Sequence, residues 1–163
     1  MKIEMWPIEN VKPYPGNPRL NDSAVKAVAA SLKEFGWRQP IVVDKAGVIV
    51  VGHTRLKAAK SNGDKTVPVH VADMTPAQAK AYRIADNQTA TLAIWDRDLL
   101  QTELSALKDL DVDLSTLGFN DVQLKDFMGI VPDFSPVGQD EQVRLDEKAP
   151  TICPKCGHEW VVR

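Results

Sequence analysis

The strongest constraint on the fold of this chain is the point where a β-branched apolar run meets a glycine and a helix-forming segment. Residues 48–51 predict a buried strand, Gly52 supplies a position without a Cβ, and His53 begins the segment that favours a helix. The free N–H groups in the first turn of such a helix favour anions. Arg55 adds a permanently charged planar guanidinium, and His53 can exchange a proton near neutral pH. The sequence therefore predicts either a plain turn with an exposed His and Arg, or a phosphate-binding elbow formed by Gly52, His53, Thr54 and Arg55.

Length and charge bound the class of protein. The 163 residues suffice for one domain of ordinary size whose core needs no disulfides. A formal net charge of −2 excludes a broadly basic nucleic-acid coat. A local basic patch stays open, drawn from Arg19, Lys33, Arg38, Arg55, Lys57 and Lys60. No apolar run approaches the roughly 20 residues of a membrane span, and the start of the chain lacks a signal-peptide core, so we expect a cytoplasmic protein without a membrane partner.

Strands and helices are predicted to alternate along the rest of the chain. Apolar alternation and β-branched runs predict strands over residues 2–7, 41–43, 48–51 and 67–71. Capping residues followed by helical apolar spacing predict helices over residues 22–36, from Thr75 towards residues 86–87, and over residues 98–110, with a short last helix from Asn120. Residues 11–19 form a loop rich in Pro, Gly and Asn.

Several short motifs occur in order along the first half of the chain. They are Asn17-Pro18-Arg19, Gly36-Trp37-Arg38-Gln39-Pro40-Ile41-Val42-Val43, Gly52-His53-Thr54-Arg55 and Ala85-Asp86-Asn87-Gln88. In this order they resemble the ParB N-terminal domain, or ParB-like nuclease domain, of the ParB/sulfiredoxin superfamily, in the form found in phages and mobile elements. The resemblance covers residues 3–110. It implies an α+β fold in which a small mixed, partly barrel-like sheet carries flanking helices.

The resemblance and the change in composition divide the chain into four segments. Residues 1–110 form the ParB/sulfiredoxin-like domain, and residues 111–129 form a helical extension. Residues 130–150 have neither helical nor strand periodicity and predict a flexible linker, which is followed by a tail of residues 151–163. The helix-turn-helix DNA reader of full-length partition proteins is not expected in so short a remainder.

A nucleotide site at the elbow is also implied by the resemblance. In chromosome-partitioning ParB proteins the matching elbow reads Gly-Glu-Arg-Arg and holds the triphosphate of CTP, while a later Glu-Asn pair binds magnesium. Here the elbow has one arginine fewer, and the pair is Asp86 and Asn87, whose oxygen ligands suit Mg²⁺. CTP or ATP is the expected ligand, held more weakly than in those proteins. Further residues expected to border the cleft and bind phosphate are Asn17, Arg19, Arg38 and Gln39.

Three functions stay open for this site. A DNA-associated module would bind nucleotide or DNA phosphates, with or without magnesium-dependent nuclease or nucleotidase activity, beside a DNA methyltransferase or another phage or mobile-element protein. A phosphotransferase similar to the free-serine kinase branch, whose elbow reads Gly-His-His-Arg, would use His53 as proton carrier and Asp86 to place magnesium. A non-catalytic protein would recruit a partner through its tail. Each of the three functions is compatible with a homo-oligomer. Sulfiredoxin chemistry is excluded, because it needs a cysteine at position 53 and this chain has His53 there.

The same residues have structural interpretations that the sequence leaves open. Asn17 and Arg19 can brace their loop, and Arg38 and Gln39 can simply be exposed to solvent. Asp86 and Asn87 can end a helix, since Asn tolerates a left-handed backbone.

The tail carries a separate signal for metal binding. Cys153-Pro154-Lys155-Cys156-Gly157 has the spacing of a zinc knuckle, in which two thiolates point at one ion, and His158 is a candidate third ligand. The chain has no second cysteine pair. Zinc would therefore be shared with a second copy of the chain, completed by a partner protein, or not bound at all.

Overall fold

A four-stranded mixed sheet lies at the centre of this computed structural model, which describes residues 1–130, 151–152 and 155–160. Strand β1 (Glu4–Pro7) is antiparallel to β4 (Thr66–Val71), and β4 is parallel to β2 (Ile41–Val43). Strand β2 is in turn antiparallel to β3 (Ile49–Val51), which gives the order β1-β4-β2-β3. The elbow strand β3 is thus an edge strand of the sheet.

Five helices surround or follow the sheet in the described part of the chain. Helix α1 packs against α2, and α3 packs against β3. Helix α4 is joined to α5 by a short 3₁₀ turn (Leu114–Leu117) that also contacts α1. The bounds are α1 (Asp22–Phe35), α2 (His53–Asn62), α3 (Pro76–Ala90), α4 (Arg97–Asp109) and α5 (Asp121–Phe127). The mixed sheet with flanking helices confirms the predicted α+β class.

The core forms where the β-branched strands meet the first helix after the elbow. Residues of β2, β3 and β4 that face this side are fully buried, as are Leu56 and Ala59 of α2. Trp6 and Trp37 pack against the cluster from its edge. Because strand residues alternate between faces, the Ile and Val runs seen in the sequence supply this layer directly. The cluster consists of Val11, Ile41, Val43, Ile49, Leu56, Ala59, Val67 and Val69.

The helix starts predicted from capping residues are confirmed, although Asn21 at the start of α1 makes no side-chain capping bond and instead accepts from Lys57 Nζ at 3.0 Å. Thr75 and Gln78 form a reciprocal capping box at α3, and Asn120 forms the same arrangement at α5. Asp96 caps α4 through Leu99 N–H at 3.1 Å. Helix α3 continues past Asn87 to Ala90, so the interpretation of Asp86 and Asn87 as a helix end is wrong. The Asn87 side chain donates to the carbonyl of Arg83 one turn earlier, which is compatible with a continuing helix.

Residues 132–163 separate from residues 1–131 as a second unit. Its described part is a short antiparallel pair, β5 (Thr151–Ile152) and β6 (Glu159–Trp160). Cys156 and His158 are exposed, whereas Cys153 lies outside the described residues. The predicted linker falls almost wholly outside them as well. Every helix that the structure describes is too short or too polar to cross a bilayer.

Candidate phosphate-binding site

The elbow has the backbone geometry that its glycine predicts. Gly52 has φ 109° and ψ 25°, a left-handed conformation that disfavours residues with a Cβ. Its carbonyl accepts the first helical bond, from Leu56 N–H at 3.0 Å. As a glycine it has no side chain with which to cap α2. The N–H groups of the first turn are therefore left for a ligand.

A cavity of about 420 Å³ opens in front of the elbow. Its walls come from the 11–19 loop, the first half of α1, the end of β3 with the elbow, and the C-terminal part of α3. Arg19 and Arg55 supply positive charge, and Asp86 is the single acidic residue of the lining. The structure thus brings most of the predicted site residues into one space, namely Asn17, Arg19, Gly52, His53, Thr54, Arg55, Asp86 and Asn87.

His53 is held in its neutral form by its surroundings. The backbone N–H of Tyr14 donates to His53 Nε2 at 3.2 Å, so this nitrogen carries no proton in that arrangement. Burial lowers the pKa of His53 below its ordinary value, and the charges of Arg83 and Lys57 lower the pKa further. The proton of the neutral ring then lies on Nδ1. His53 consequently links the elbow to the 11–19 loop.

Arg55 is a half-buried cation in the first turn of α2. Its guanidinium donates to Gln39 Oε1, which places Gln39 beside the site although it does not line the cavity. Burial lowers the pKa of Arg55, while the nearby negative charge of Asp86 acts in the opposite direction. Arg38 is exposed and does not line the cavity.

Arg19 spans the cavity mouth from the loop to α3. Its Nη1 donates to Asn87 Oδ1 at 2.8 Å and approaches the Asn87 carbonyl at 3.4 Å. Asn17 Nδ2 in turn donates to the carbonyl of Arg19 at 3.2 Å. The loop residues therefore have the bracing role that the sequence left open and also line the cavity.

Sequence reasoning missed Arg83, which is 6% exposed and lies behind the site without lining its cavity. Its Nε donates to the carbonyl of Ile49 on β3 at 2.8 Å, and its guanidinium carbon lies 3.9 Å from the centre of the Tyr14 ring. Asp44 is its counter-charge, at 3.9 Å. The spacing of residues along α3 could have indicated this position, because Ala79, Arg83 and Asn87 are four residues apart and so share one face of the helix.

The donor set does not fit a resident magnesium ion. Asp86 is the one carboxylate in the lining, and Asn87 Oδ1 already accepts from the Arg19 guanidinium. Within the described residues no three His, Cys, Asp or Glu side chains converge as a metal site. A single carboxylate fits Mg²⁺ only when phosphates bring the other ligands.

The fold and the elbow together define a ParB-like α+β domain with a cavity in front of its elbow. The family model for the ParB N-terminal domain matches residues 1–88, and the chain belongs to this family. A second model, the ParB-methyltransferase HTH domain, matches residues 98–155. That match overturns the expectation that a helix-turn-helix segment is absent. The matched range contains α5 and all of α4 but its first residue, whereas the sequence assigns residues 98–110 to the ParB-like domain and α5 to the helical extension.

Two known proteins illustrate the sequence similarity. The ParB-like nuclease domain-containing protein YnaK of Escherichia coli is 36% identical over 72 residues, which cover 44% of this chain and 83% of YnaK. A probable chromosome-partitioning protein ParB of Campylobacter jejuni is 33% identical over 88 residues, 51% of this chain and 32% of that protein. The match thus spans about a third of that partitioning relative.

A solved structure confirms the fold over most of the chain. The C-terminally truncated chromosome-partitioning protein ParB of Caulobacter crescentus, complexed with CTP-γ-S, superposes with a TM-score of 0.66 at 24% identity. The superposition covers 82% of this chain and 81% of that one. At this identity the likeness establishes the shared ParB fold.

Proposed function

We propose that this protein is a DNA-associated module that binds the phosphates of a nucleoside triphosphate in the elbow cavity. The observation that carries the proposal is the convergence of Arg19, Arg55 and the uncapped first turn of α2 on one space. CTP is the first candidate, because the similar Caulobacter protein was solved with CTP-γ-S. The cavity volume of about 420 Å³ lies within the range of small-molecule sites.

The proposed binding mode uses the elbow as an anion cradle. The N–H groups of residues 53–55 point along the helix axis, and the helix dipole adds positive potential at the same end. Arg55 contributes a guanidinium fork from within that turn. Arg19 exchanges its neutral partner Asn87 for a phosphate oxygen, which is a stronger, charge-assisted acceptor.

Metal binding in this proposal depends on the ligand. Asp86 offers one carboxylate to a magnesium ion that arrives with the phosphates, whereas Asn87 becomes a ligand only after Arg19 releases its Oδ1. Zinc at Cys153, Cys156 and His158 stays a separate prediction. Zinc binding by the tail is tested by measuring the zinc content of the purified full chain and of its Cys156→Ser variant.

DNA is the proposed macromolecular partner. The second matched family model is a helix-turn-helix domain, a motif that places one helix in the major groove. The match to a ParB-methyltransferase HTH domain also supports a role beside DNA methylation, which the family resemblance implies. Since the net charge is −2, we expect DNA contacts to come from local basic residues and to weaken steeply with salt.

Calorimetric titration with CTP, ATP and short duplex DNA, each with and without magnesium, tests the proposal. We expect a nucleotide to bind and Arg55→Ala to weaken it by about 10- to 100-fold, the loss typical of a charge-assisted hydrogen bond. Lys60→Ala is the matched control, because Lys60 is an exposed cation in the last turn of the same helix. Equal affinity in wild type and Arg55→Ala would refute the elbow as the site.

Catalysis by His53 and Asp86 stays a prediction. The geometry supports it less well than it supports nucleotide binding without turnover. A general base needs a free lone pair, and His53 Nε2 already accepts from Tyr14 N–H. Nuclease, nucleotidase and phosphotransferase activity would each appear as turnover of labelled DNA or nucleotide. Turnover that disappears in His53→Gln with unchanged ligand affinity would favour the enzymatic alternative.

A further inference from the structure

Arg83 is a buried cation whose role the phosphate site described above does not explain. It lies in the middle of α3, and its guanidinium does not line the elbow cavity. Burying a charge is costly unless its partners are close, and its carboxylate partner Asp44 is 3.9 Å away. An apolar side chain of similar volume would fill the same space at lower cost. Stability alone is therefore a poor reason for arginine at this position.

One set of Arg83 contacts leads to the elbow. Arg83 Nε is bonded to Ile49 of β3, the strand that runs into the elbow. The guanidinium lies against the Tyr14 ring at 3.9 Å, a distance at which a cation and an aromatic face attract each other. The backbone N–H of Tyr14 then donates to His53, the first residue of α2. Arg83 thus reaches His53 through Tyr14.

A second set leads to the opposite wall of the cavity. The carbonyl of Arg83 accepts from Asn87 Nδ2 at 2.7 Å, and this bond orients the amide so that Oδ1 meets Arg19 at 2.8 Å. Arg19 and Tyr14 belong to the same loop. The loop is therefore fastened at two points: one runs through the Arg83 side chain and Tyr14, and the other through the main-chain carbonyl of residue 83, which any residue at this position would supply.

We propose that Arg83 is a positioning residue that holds the 11–19 loop against α2 and α3 and so presets the elbow cavity for phosphate. The inference rests on the proposed nucleotide-binding function. Residues from separate segments form the cavity, and the Arg83 side chain joins two elements next to it: the 11–19 loop through Tyr14, and β3, the strand that runs into the elbow, through Ile49. A ligand that finds these groups already ordered binds without the entropy loss of ordering them.

The test combines two variants with two independent readouts. Arg83→Met removes the charge and the Nε bond, while Tyr14→Leu leaves every Arg83 hydrogen bond in place and removes only the ring. Tyr14→Leu therefore keeps the test valid even where Arg83→Met does not fold. Arg97→Met is the matched control, since Arg97 also lies over an aromatic ring, that of Phe127 at 5.1 Å, but away from the cavity.

The first readout is the tautomer of His53, followed by two-bond ¹H–¹⁵N correlations in the ligand-free protein. Wild type should show the Nδ1–H form, because Tyr14 N–H occupies Nε2. In Arg83→Met and Tyr14→Leu we expect a mixture of both tautomers, as the loop is no longer held at Tyr14, the residue whose N–H donates to His53. The second readout is CTP affinity, which we expect to fall by roughly tenfold in Arg83→Met and in Tyr14→Leu. The variant carrying both substitutions should lose no more than either alone, because both remove the same contact.

The two readouts separate the inference from the function on which it rests. Wild-type protein that binds no CTP refutes the proposed function for that ligand, whatever the tautomer. A folded Arg83→Met protein whose His53 tautomer is unchanged overturns the positioning role. So does an equal loss of affinity in Arg97→Met, because the loss would then reflect general destabilisation.

Discussion

Replacing Gly52 with alanine should destabilise the protein through its backbone. At φ 109° the residue occupies a region that L side chains rarely adopt, and forcing alanine into it costs about 1–3 kcal/mol. The added Cβ would lie 3.4 Å from Ile41 Cα and Cγ1, which is contact without severe overlap. Strain therefore dominates over collision. For a chain of this size we expect a fall in Tm of roughly 3–10 °C.

The comparison with Gly63→Ala isolates the contribution of the elbow. Gly63 also has a left-handed backbone, with φ 81°, but a Cβ there meets nothing within 4 Å. Its substitution carries strain without contact with the core, and we expect a loss of about 1 kcal/mol. Urea denaturation with a shared slope gives both values. A Gly52→Ala protein as stable as wild type, or more stable than Gly63→Ala, would refute the assignment of an obligatory left-handed elbow.

Three further predictions test other parts of the structure. Leu104→Ala removes a fully buried side chain of α4 and should lower the free energy of unfolding by about 2–5 kcal/mol in urea melts; a change below 1 kcal/mol would mean that α4 is not packed. Thr75→Ala removes a capping-box partner of α3 and should lower the free energy of unfolding by about 0.5–2 kcal/mol in the same assay. The exposed Thr91→Ala is the control, and an equal loss of stability in both variants would contradict the prediction. The lowered pKa of His53 means that the unfolded chain binds its proton more readily, so stability should fall as the pH drops below 6.5; wild type and His53→Gln that respond equally would contradict this.

Local sequence signals predicted the elements of the fold well. The Ile and Val runs of β2 and β3 predict buried strands, and Thr75 with Gln78 predicts the start of α3 to within one residue. Both signals act over a few residues and need no knowledge of the tertiary structure. The end of α3 was less predictable, because the Asn87 side chain stabilises the helix through a bond to Arg83 instead of ending it.

The site was predictable where its residues are contiguous and less so where they meet across the fold. Gly52 to Arg55 form one turn, so their cooperation follows from the sequence. The 3.9 Å contact of Arg83 with Tyr14 joins residues 69 positions apart, and no local pattern encodes it. Arg38 and Gln39 were both expected beside the cleft because they precede Pro40 in the motif that resembles the family, yet only Gln39 reaches Arg55, and Arg38 is exposed.

The neutral state of His53 has a consequence for the strength of phosphate binding. The Gly-Glu-Arg-Arg elbow of the partitioning proteins that this chain resembles has a formal charge of +1, from one carboxylate and two guanidinium groups. The elbow here has the same charge, because His53 is held neutral and Arg55 supplies +1. Long-range attraction of a triphosphate is therefore similar in the two elbows, since it depends on net charge. Short-range binding differs, because one guanidinium fork replaces two and each fork contributes its own charge-assisted hydrogen bonds. This difference supports the expectation of weaker triphosphate binding, and it makes the bridging Arg19 the second cation on which tight binding would depend.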